Sequence, residues 1–375
     1  MYNFKEVNIK DIDKQYFYSN PQLVPFGHIE WIEFIKELKG VRPVVLEISE
    51  SKKSRVVGFF IGGITKLLGV KILGSPFWGW MGQHMGFSML VEVNKANLVD
   101  DLIDFAFEKL KVGYVQMCDF NISFEDISNC THKLIPGEQY TTCYIDLTLP
   151  EETLQKNLKS GYRTSIRKFA KDGGYIVEDY SEEFIEEHHR QLEQVFVRNN
   201  LKTPDYRKKM SMLLRSPDFI KGVGSKLGVY FIKAMLPVEE NGKIKDLCIA
   251  TSYYILNGYM AMFASNASYT QYLRSCPNQA LSWHAMMKFK KEGLHYLDMG
   301  GSGSYKLNFS GGGWQPRPII ICSKNKYNYL IILGLKRNFG KVYRLFGKYK
   351  VWVKSKLLKE KGFGLKETKM DPSKQ

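Results

Sequence analysis

The sequence predicts an α/β protein of two tandem domains with mixed sheets, followed by a basic helical tail. Three observations carry that reading: an internal repeat, a hairpin pattern ahead of each copy, and a charge excess concentrated near the C-terminus. The repeat pairs LVDDLIDFAFEKLKVGYVQMCDF (98–120) with ALSWHAMMKFKKEGLHYLDMGG (280–301). Each copy reads as an amphipathic helix, a glycine that stops it (Gly113, Gly293), a short apolar strand, and an aspartate at the strand end (Asp119, Asp298). A 3.6-residue apolar period gives way to a short buried run, the signature of a helix feeding a strand. The offset of roughly 180 residues is a domain length, not a solenoid period.

The hairpins come next. SRVVGFFIGGITKLLGVKILGSPFWGW precedes the first copy and KDLCIATSYYILNGYMAMFAS the second. Both are β-rich, with turns expected at Gly62-Gly63 and at Asn257-Gly258. Helix starts fall near Asn94 and Asn278. Hairpin, helix, strand gives antiparallel pairs plus one parallel crossover in each half, hence mixed sheets. In the second helix Leu281, Ala285 and Phe289 form a core stripe, with Trp283 and His284 off it. The join lies near Pro150: YTTCYIDLTL is β-rich, and proline followed by two glutamates opens a helix. Ser181 is the expected N-cap of a further helix with acids in its first turn. The expected boundaries are 1–150, 151–325 and a tail, 326–375.

Composition narrows the class. Hydrophobic residues make up 44% and charged residues 25%, enough apolar material for two cores. No apolar run approaches a membrane span and the start has no signal-peptide core, so a cytoplasmic protein is expected. The six cysteines form no C-x-x-C pair and read as reduced thiols. No H-E-x-x-H occurs, and no metal is expected. His188 and His189 lie on an acidic helix and read as surface or ion-paired histidines. The net charge is +16, and residues 326–375 hold 14 Lys/Arg against three Asp/Glu. Such a block suits an anionic partner: RNA, a membrane surface or an anionic substrate. Leu335, Phe339, Val342, Phe346, Tyr349, Val353 and Leu357 recur on one helical face, with Tyr327, Tyr329, Tyr343 and Trp352 nearby. That frame suits a peripheral contact with the inner face of a membrane.

The stretch LHYLDMGGSGSYKLNFSGGG (294–313) is the candidate site. It is not a phosphate P-loop, because Lys306 follows Tyr305 and precedes Leu307. It is not a dinucleotide fingerprint either, because Lys306 stands where the third glycine belongs. Asp298 ends a strand, and Gly300 and Gly301 let backbone amides approach a ligand. Lys306, between Tyr305 and Phe309, suits an oxyanion or phosphate. The plainer alternative makes Asp298 a loop cap and Lys306 a solvated lysine. Arg163 and Arg167 share a helix face with Lys168 and Lys171 nearby, and either clamp phosphates or face solvent. Asn278 and Gln279 open a helix, where backbone N–H groups meet anions.

A helix ending KKEG, a strand ending in aspartate plus glycines, and the element Tyr305-Lys306-Leu307-Asn308-Phe309-Ser310-Gly311 together resemble the Fem-type (FemAB) transferases. The pattern is similar too to GNAT-like acyltransferases of polysaccharide and envelope gene clusters. YRTSIRKFAKDGGYIVEDY resembles the family's Arg-rich helix entering its second domain. The likeness covers about residues 20 to 325. It implies two tandem GNAT-like (acyl-CoA N-acyltransferase) domains that transfer an acyl or aminoacyl group. The donor would be acyl-CoA or aminoacyl-tRNA; the acceptor, an amine on an envelope, peptidoglycan or polysaccharide precursor. Lys306 would hold donor phosphates or the developing oxyanion, and Asp298 would shape the site or help take the amine proton. Arg163 and Arg167 would face phosphates, with Tyr305, Gly300, Gly301, Gln279 and Asn278 lining the donor and substrate site. The GNAT pyrophosphate loop is not where the family pattern places it; SYTQYLRSCPNQA stands there. The donor is therefore open, with acyl-CoA slightly preferred and the basic tail arguing for tRNA. A non-catalytic nucleic-acid or membrane-surface binding protein is the alternative from another class.

Overall fold

A computed structural model describes residues 1–51, 55–135, 139–201, 227–240, 242–301, 303–313 and 315–338. The strands of the first half are β1 (Tyr2–Glu6), β2 (Arg42–Glu50), β3 (Val56–Leu67), β4 (Val70–Ser75), β5 (Gly86–Met89) and β6 (Tyr114–Met117). Then come β7 (Gln139–Thr142) and β8 (Tyr144–Asp146). The second half carries β9 (Tyr175–Glu178), β10 (Gly228–Glu240), β11 (Lys243–Leu256), β12 (Met260–Ser268) and β13 (Tyr296–Asp298), and the chain closes with β14 (Gln315–Pro318) and β15 (Ile320–Ser323).

The two halves follow one plan. In the first sheet β2, β3 and β4 form an antiparallel meander, the helix Lys95–Glu108 crosses over, and β6 returns parallel to β4. In the second, β10, β11 and β12 form the meander, the helix Pro277–Lys291 crosses over, and β13 returns parallel to β12. The expected mixed sheets and the repeat are both present. Asn94 caps the first crossover helix through its side chain, 2.9 Å from the Asn97 N–H. The stripe Leu281, Ala285 and Phe289 of the second is fully buried.

The last strand of each sheet comes from the other half. β8 pairs antiparallel with β13 in the second sheet, and β15 pairs antiparallel with β6 in the first. Sheet pairing thus crosses the expected boundary between 1–150 and 151–325. Exchange ties the halves together, and one core does the same. Trp31, Ile32 and Phe59 pack in one cluster with Phe184, Phe231, Tyr253 and Met260. The β11–β12 turn, at the expected Asn257-Gly258, locks into this interface. The Asn257 amide donates to the Leu23 carbonyl at 2.6 Å and meets His28 Nε2 at 3.0 Å. Burial pushes His28 down to about 3, so it packs as a neutral ring.

Two local expectations are corrected. Gly62-Gly63 is no turn: β3 runs straight through it, and the chain reverses at Leu68-Gly69. The glycines serve close approach instead. A Cβ on Gly62 would lie 2.7 Å from the Gly74 carbonyl, and one on Gly63 would lie 2.9 Å from Trp80. His188 is not a surface residue. It is buried between β11 and β12, with Nδ1 2.9 Å from the Thr251 hydroxyl and Nε2 3.0 Å from that of Ser265. Burial lowers it to about 3. His189 does face Glu193, at 3.3 Å. All six cysteines are free thiols. Of the tail, a helix over 326–338 is described, and it buries Ile332. The rest of the predicted face, from Phe339 onward, lies outside the described residues.

Candidate active site

The site grows from the parallel pair β12–β13. Their ladder joins Met260 to Tyr296 and Met262 to Asp298, then stops. β12 continues to Ser268, while the chain after Asp298 turns through Gly300 and Gly301. Both glycines have positive φ, +63° and +54°, which side chains with a Cβ resist. The short helix Ser304–Ser310 then packs against β8 and the helix Glu151–Asn157, anchored by fully buried Phe309.

Lys306 enters from that helix. Its ammonium donates to the Gly300 carbonyl and lies 5.2 Å from the ring centroid of Phe263 on β12. It is half-buried rather than solvated. Burial lowers its pKa from the usual lysine range, while the Asp298 carboxylate pulls the other way. Tyr305 packs beside Tyr162 and Phe309 and donates to the Asn278 carbonyl at 2.8 Å. Burial raises that phenol well above its usual pKa, so it stays protonated. Asn278 reaches Ser268 through its amide, 3.1 Å away, and Gln279 follows it in the first helical turn, half-buried.

Asp298 has no exposed surface. Its Oδ1 accepts from the Thr142 hydroxyl and, at 2.7 Å, from the Gly300 N–H. Its Oδ2 lies 3.5 Å from His84 Nε2 and accepts no hydrogen bond. Its repeat partner Asp119 repeats the motif: Oδ1 takes the Asn121 N–H at 2.7 Å and Oδ2 the Phe87 N–H at 2.6 Å. Each strand-end aspartate thus pins the turn that follows it. Burial pushes Asp119 up to about 6 against those hydrogen bonds.

The residues that complete the site come from distant chain segments. His84, just ahead of β5, is fully buried, with Nε2 2.9 Å from the Tyr144 hydroxyl and Nδ1 3.6 Å from Cys118 Sγ. Burial pushes the Cys118 thiol up to about 12, which keeps it protonated and poorly nucleophilic. Tyr140 accepts the Gly301 N–H at 2.7 Å. A Cβ on Gly300 would lie 2.4 Å from the Gln83 amide nitrogen, so the first half presses directly on the loop.

The structure therefore brings Lys306, Asp298, Gly300 and Gly301 into one contact chain, with Tyr305 and Asn278 joined beside it. Arg163 stands apart: its guanidinium donates to the carbonyls of Gln155, Lys156 and Leu158 and closes the helix Glu151–Asn157. Arg167 is exposed on its helix. Sequence reasoning missed His84, Gln83, Tyr140, Thr142 and Tyr144; of this neighbourhood only Asp119 carried a signal, through the repeat. Among the described residues no group of three or more His, Cys, Asp or Glu is arranged to hold a metal ion. None of their helices is long and apolar enough to cross a membrane.

The architecture is one already seen in solved structures. The chain is similar to FemX at a TM-score of 0.67, covering 88% of this chain and 99% of that one at 11% identity. It is similar to a conserved protein of unknown function from Bacteroides thetaiotaomicron VPI-5482 at a TM-score of 0.50, covering 86% and 100% at 12% identity. No family model and no curated protein matches the sequence. The chain thus shares the fold of FemX, in line with the Fem-type resemblance of the motifs.

Proposed function

We propose that the protein is an acyltransferase that moves an acyl group from an activated donor to an amine. The observation that carries this reading is Lys306: a half-buried ammonium on the Gly300 carbonyl, where β12 and β13 part. A cation held there is in place for charge that develops on a carbonyl oxygen, in surroundings that strengthen its effect. With an acyl-CoA donor, the amine lone pair attacks the thioester carbon and a C–N bond forms. The C–S bond breaks, sulfur leaves with the electron pair, and the amine proton passes to it or to water. Positioning and charge stabilisation supply much of such a rate.

The donor we favour is acyl-CoA carrying an acetyl-like group, and the acceptor an amine on a cell-envelope or polysaccharide precursor. Asp298, wholly buried with Oδ1 on the loop, supports a shaping role over proton transfer. The tail charge supports a second reading, aminoacyl transfer from tRNA in peptidoglycan-bridge synthesis. The same tail suits a cytoplasmic protein held at the inner membrane face. Tyr327 and Leu330 of the helix 326–338 are 72% and 50% exposed, beside exposed Lys326 and Arg337. Calorimetric titration of CoA, acetyl-CoA and charged tRNA at two salt concentrations tests the donor. Saturable CoA binding weakened by Lys306→Ala supports acyl-CoA, and selective, salt-sensitive binding of charged tRNA supports the second reading. Binding of neither removes both and leaves a non-catalytic binding protein.

A further inference from the structure

Three buried polar atoms that lack a hydrogen-bond partner gather where the halves meet: Gln83 Oε1, Asp298 Oδ2 and Arg317 Nε. Arg317 is the cation among them. It lies on β14 directly opposite Tyr140 on β7, so the two side chains share one face of the ribbon. The Tyr140 hydroxyl meets Gly301 N–H, which places Arg317 one strand from the glycine loop. Its guanidinium carbon lies 5.5 Å from the ring centroids of both Phe120 and Tyr144. Each ring adjoins a strand-end aspartate: Phe120 follows Asp119, and Tyr144 pairs in register with Asp298.

Stacking covers the flat face of the guanidinium but does not use its in-plane N–H donors. The Arg317 Nε–H is buried and has no hydrogen-bond partner. Both oxygens of the buried Asp119 take backbone N–H groups; Asp298 Oδ1 holds Thr142 and Gly300, and its Oδ2 faces His84 at 3.5 Å. A half-buried cation with an idle donor is costly unless an anion answers it. The planar fork of arginine matches two oxygens of one phosphate.

We propose that Arg317 is an anion-binding residue of the seam and receives a phosphate group of the ligand that occupies the Lys306 loop. The ligand then lies along the glycine loop, between Lys306 at Gly300 and Arg317 beside Tyr140. Calling that ligand the substrate rests on the transferase reading; phosphate binding by Arg317 does not.

Pyrophosphate is the probe, titrated calorimetrically at constant ionic strength into wild type, Arg317→Ala, Arg317→Lys and Lys66→Ala. Lys66 is an exposed β3 lysine, so its variant controls for loss of one charge. We expect saturable binding by wild type, unchanged in Lys66→Ala and weakened about tenfold or more in Arg317→Ala. Arg317→Lys keeps the charge but not the fork and should fall between; it also decides the matter if the alanine variant fails to fold. Competition by CoA assigns the phosphate to the donor, and competition by UDP assigns it to a nucleotide-linked acceptor. Wild-type-like binding by either Arg317 variant, or no pyrophosphate binding by wild type, overturns the proposal. Binding without any acyl transfer leaves it standing and removes only the transferase reading.

Discussion

Replacing Gly300 by alanine tests the contact between the first half and the site loop. Two penalties apply. The backbone sits at φ +63°, where a Cβ costs about 1–2 kcal/mol. The new methyl would also lie 2.4 Å from the Gln83 amide nitrogen, well inside the roughly 3.5–4.0 Å of a comfortable contact. Pushing Gln83 aside is an overpacking cost of about 1–3 kcal/mol, at the low end because Gln83 Oε1 has no hydrogen bond to lose. The total is about 2–4 kcal/mol. The loop provides its own controls. Gly301→Ala meets the φ penalty but only an ordinary contact, 3.6 Å from Lys306 Nζ, and should cost about 1–2 kcal/mol. Gly303 has extended φ and nothing within 4 Å, so Gly303→Ala should stay within about 0.5 kcal/mol. Urea unfolding of these variants, with Gly300→Ala repeated in a Gln83→Ala background, completes a double-mutant cycle. The steric part should vanish there and leave about 1–2 kcal/mol. Equal costs in both backgrounds, or a Gly300→Ala as mild as Gly303→Ala, would show that Gln83 does not press on the loop.

Two further predictions concern the frame around the site. Asp119 is held near 6 against an ordinary 3.8, so the folded state binds its proton more tightly than the unfolded chain. That stabilisation is complete below about pH 4 and lost as pH rises through 6. A shift of about two units corresponds to about 3 kcal/mol, so wild type should lose about that much relative to Asp119→Asn between pH 4 and 7. Denaturant curves at those pH values check it, and a pH-independent difference contradicts it. Ending the chain after Pro318 removes β15, whose Ile320, Ile321 and Cys322 are buried against the first sheet. With about 1.5–3 kcal/mol for each lost isoleucine and β6 exposed as an edge, that chain should aggregate or lose cooperative unfolding. Ending it after Asn338 should not, and wild-type-like unfolding of the shorter chain argues against strand exchange.

Local signals in the sequence carried the fold a long way. The hairpin at Asn257-Gly258, the helix start near Asn94 and the stripe on the second crossover helix are short-range patterns, and the structure holds all three. Gly62-Gly63 misled because glycine serves close packing as well as turns, and only the positions of Gly74 and Trp80 distinguish the uses. His188 misled because its helix is acidic on the surface while the histidine faces two hydroxyls on β11 and β12. In the site, Asp298, the glycines and Lys306 stood out because one loop supplies them all. His84, Tyr140 and Tyr144 did not, since only long-range packing brings those segments to the loop, Tyr144 through the β8–β13 pairing. Arg317 was hidden in the same way: nothing local in QPRP marks an arginine that lands opposite Tyr140.

Label transfer from donor to amine separates an acyltransferase from a binding protein. Purified protein is incubated with [14C]acetyl-CoA, or with tRNA charged with a labelled amino acid, and amine-bearing envelope precursors extracted from cells. The account predicts label in a hydroxylamine-stable amide, formed by wild type and largely lost in Lys306→Ala, which should remain folded. It also predicts that formation falls at alkaline pH, below the pH at which an ordinary lysine deprotonates, because burial lowers Lys306 and only its ammonium form stabilises the oxyanion. A donor left intact by wild type, or equal labelling by Lys306→Ala, would contradict it.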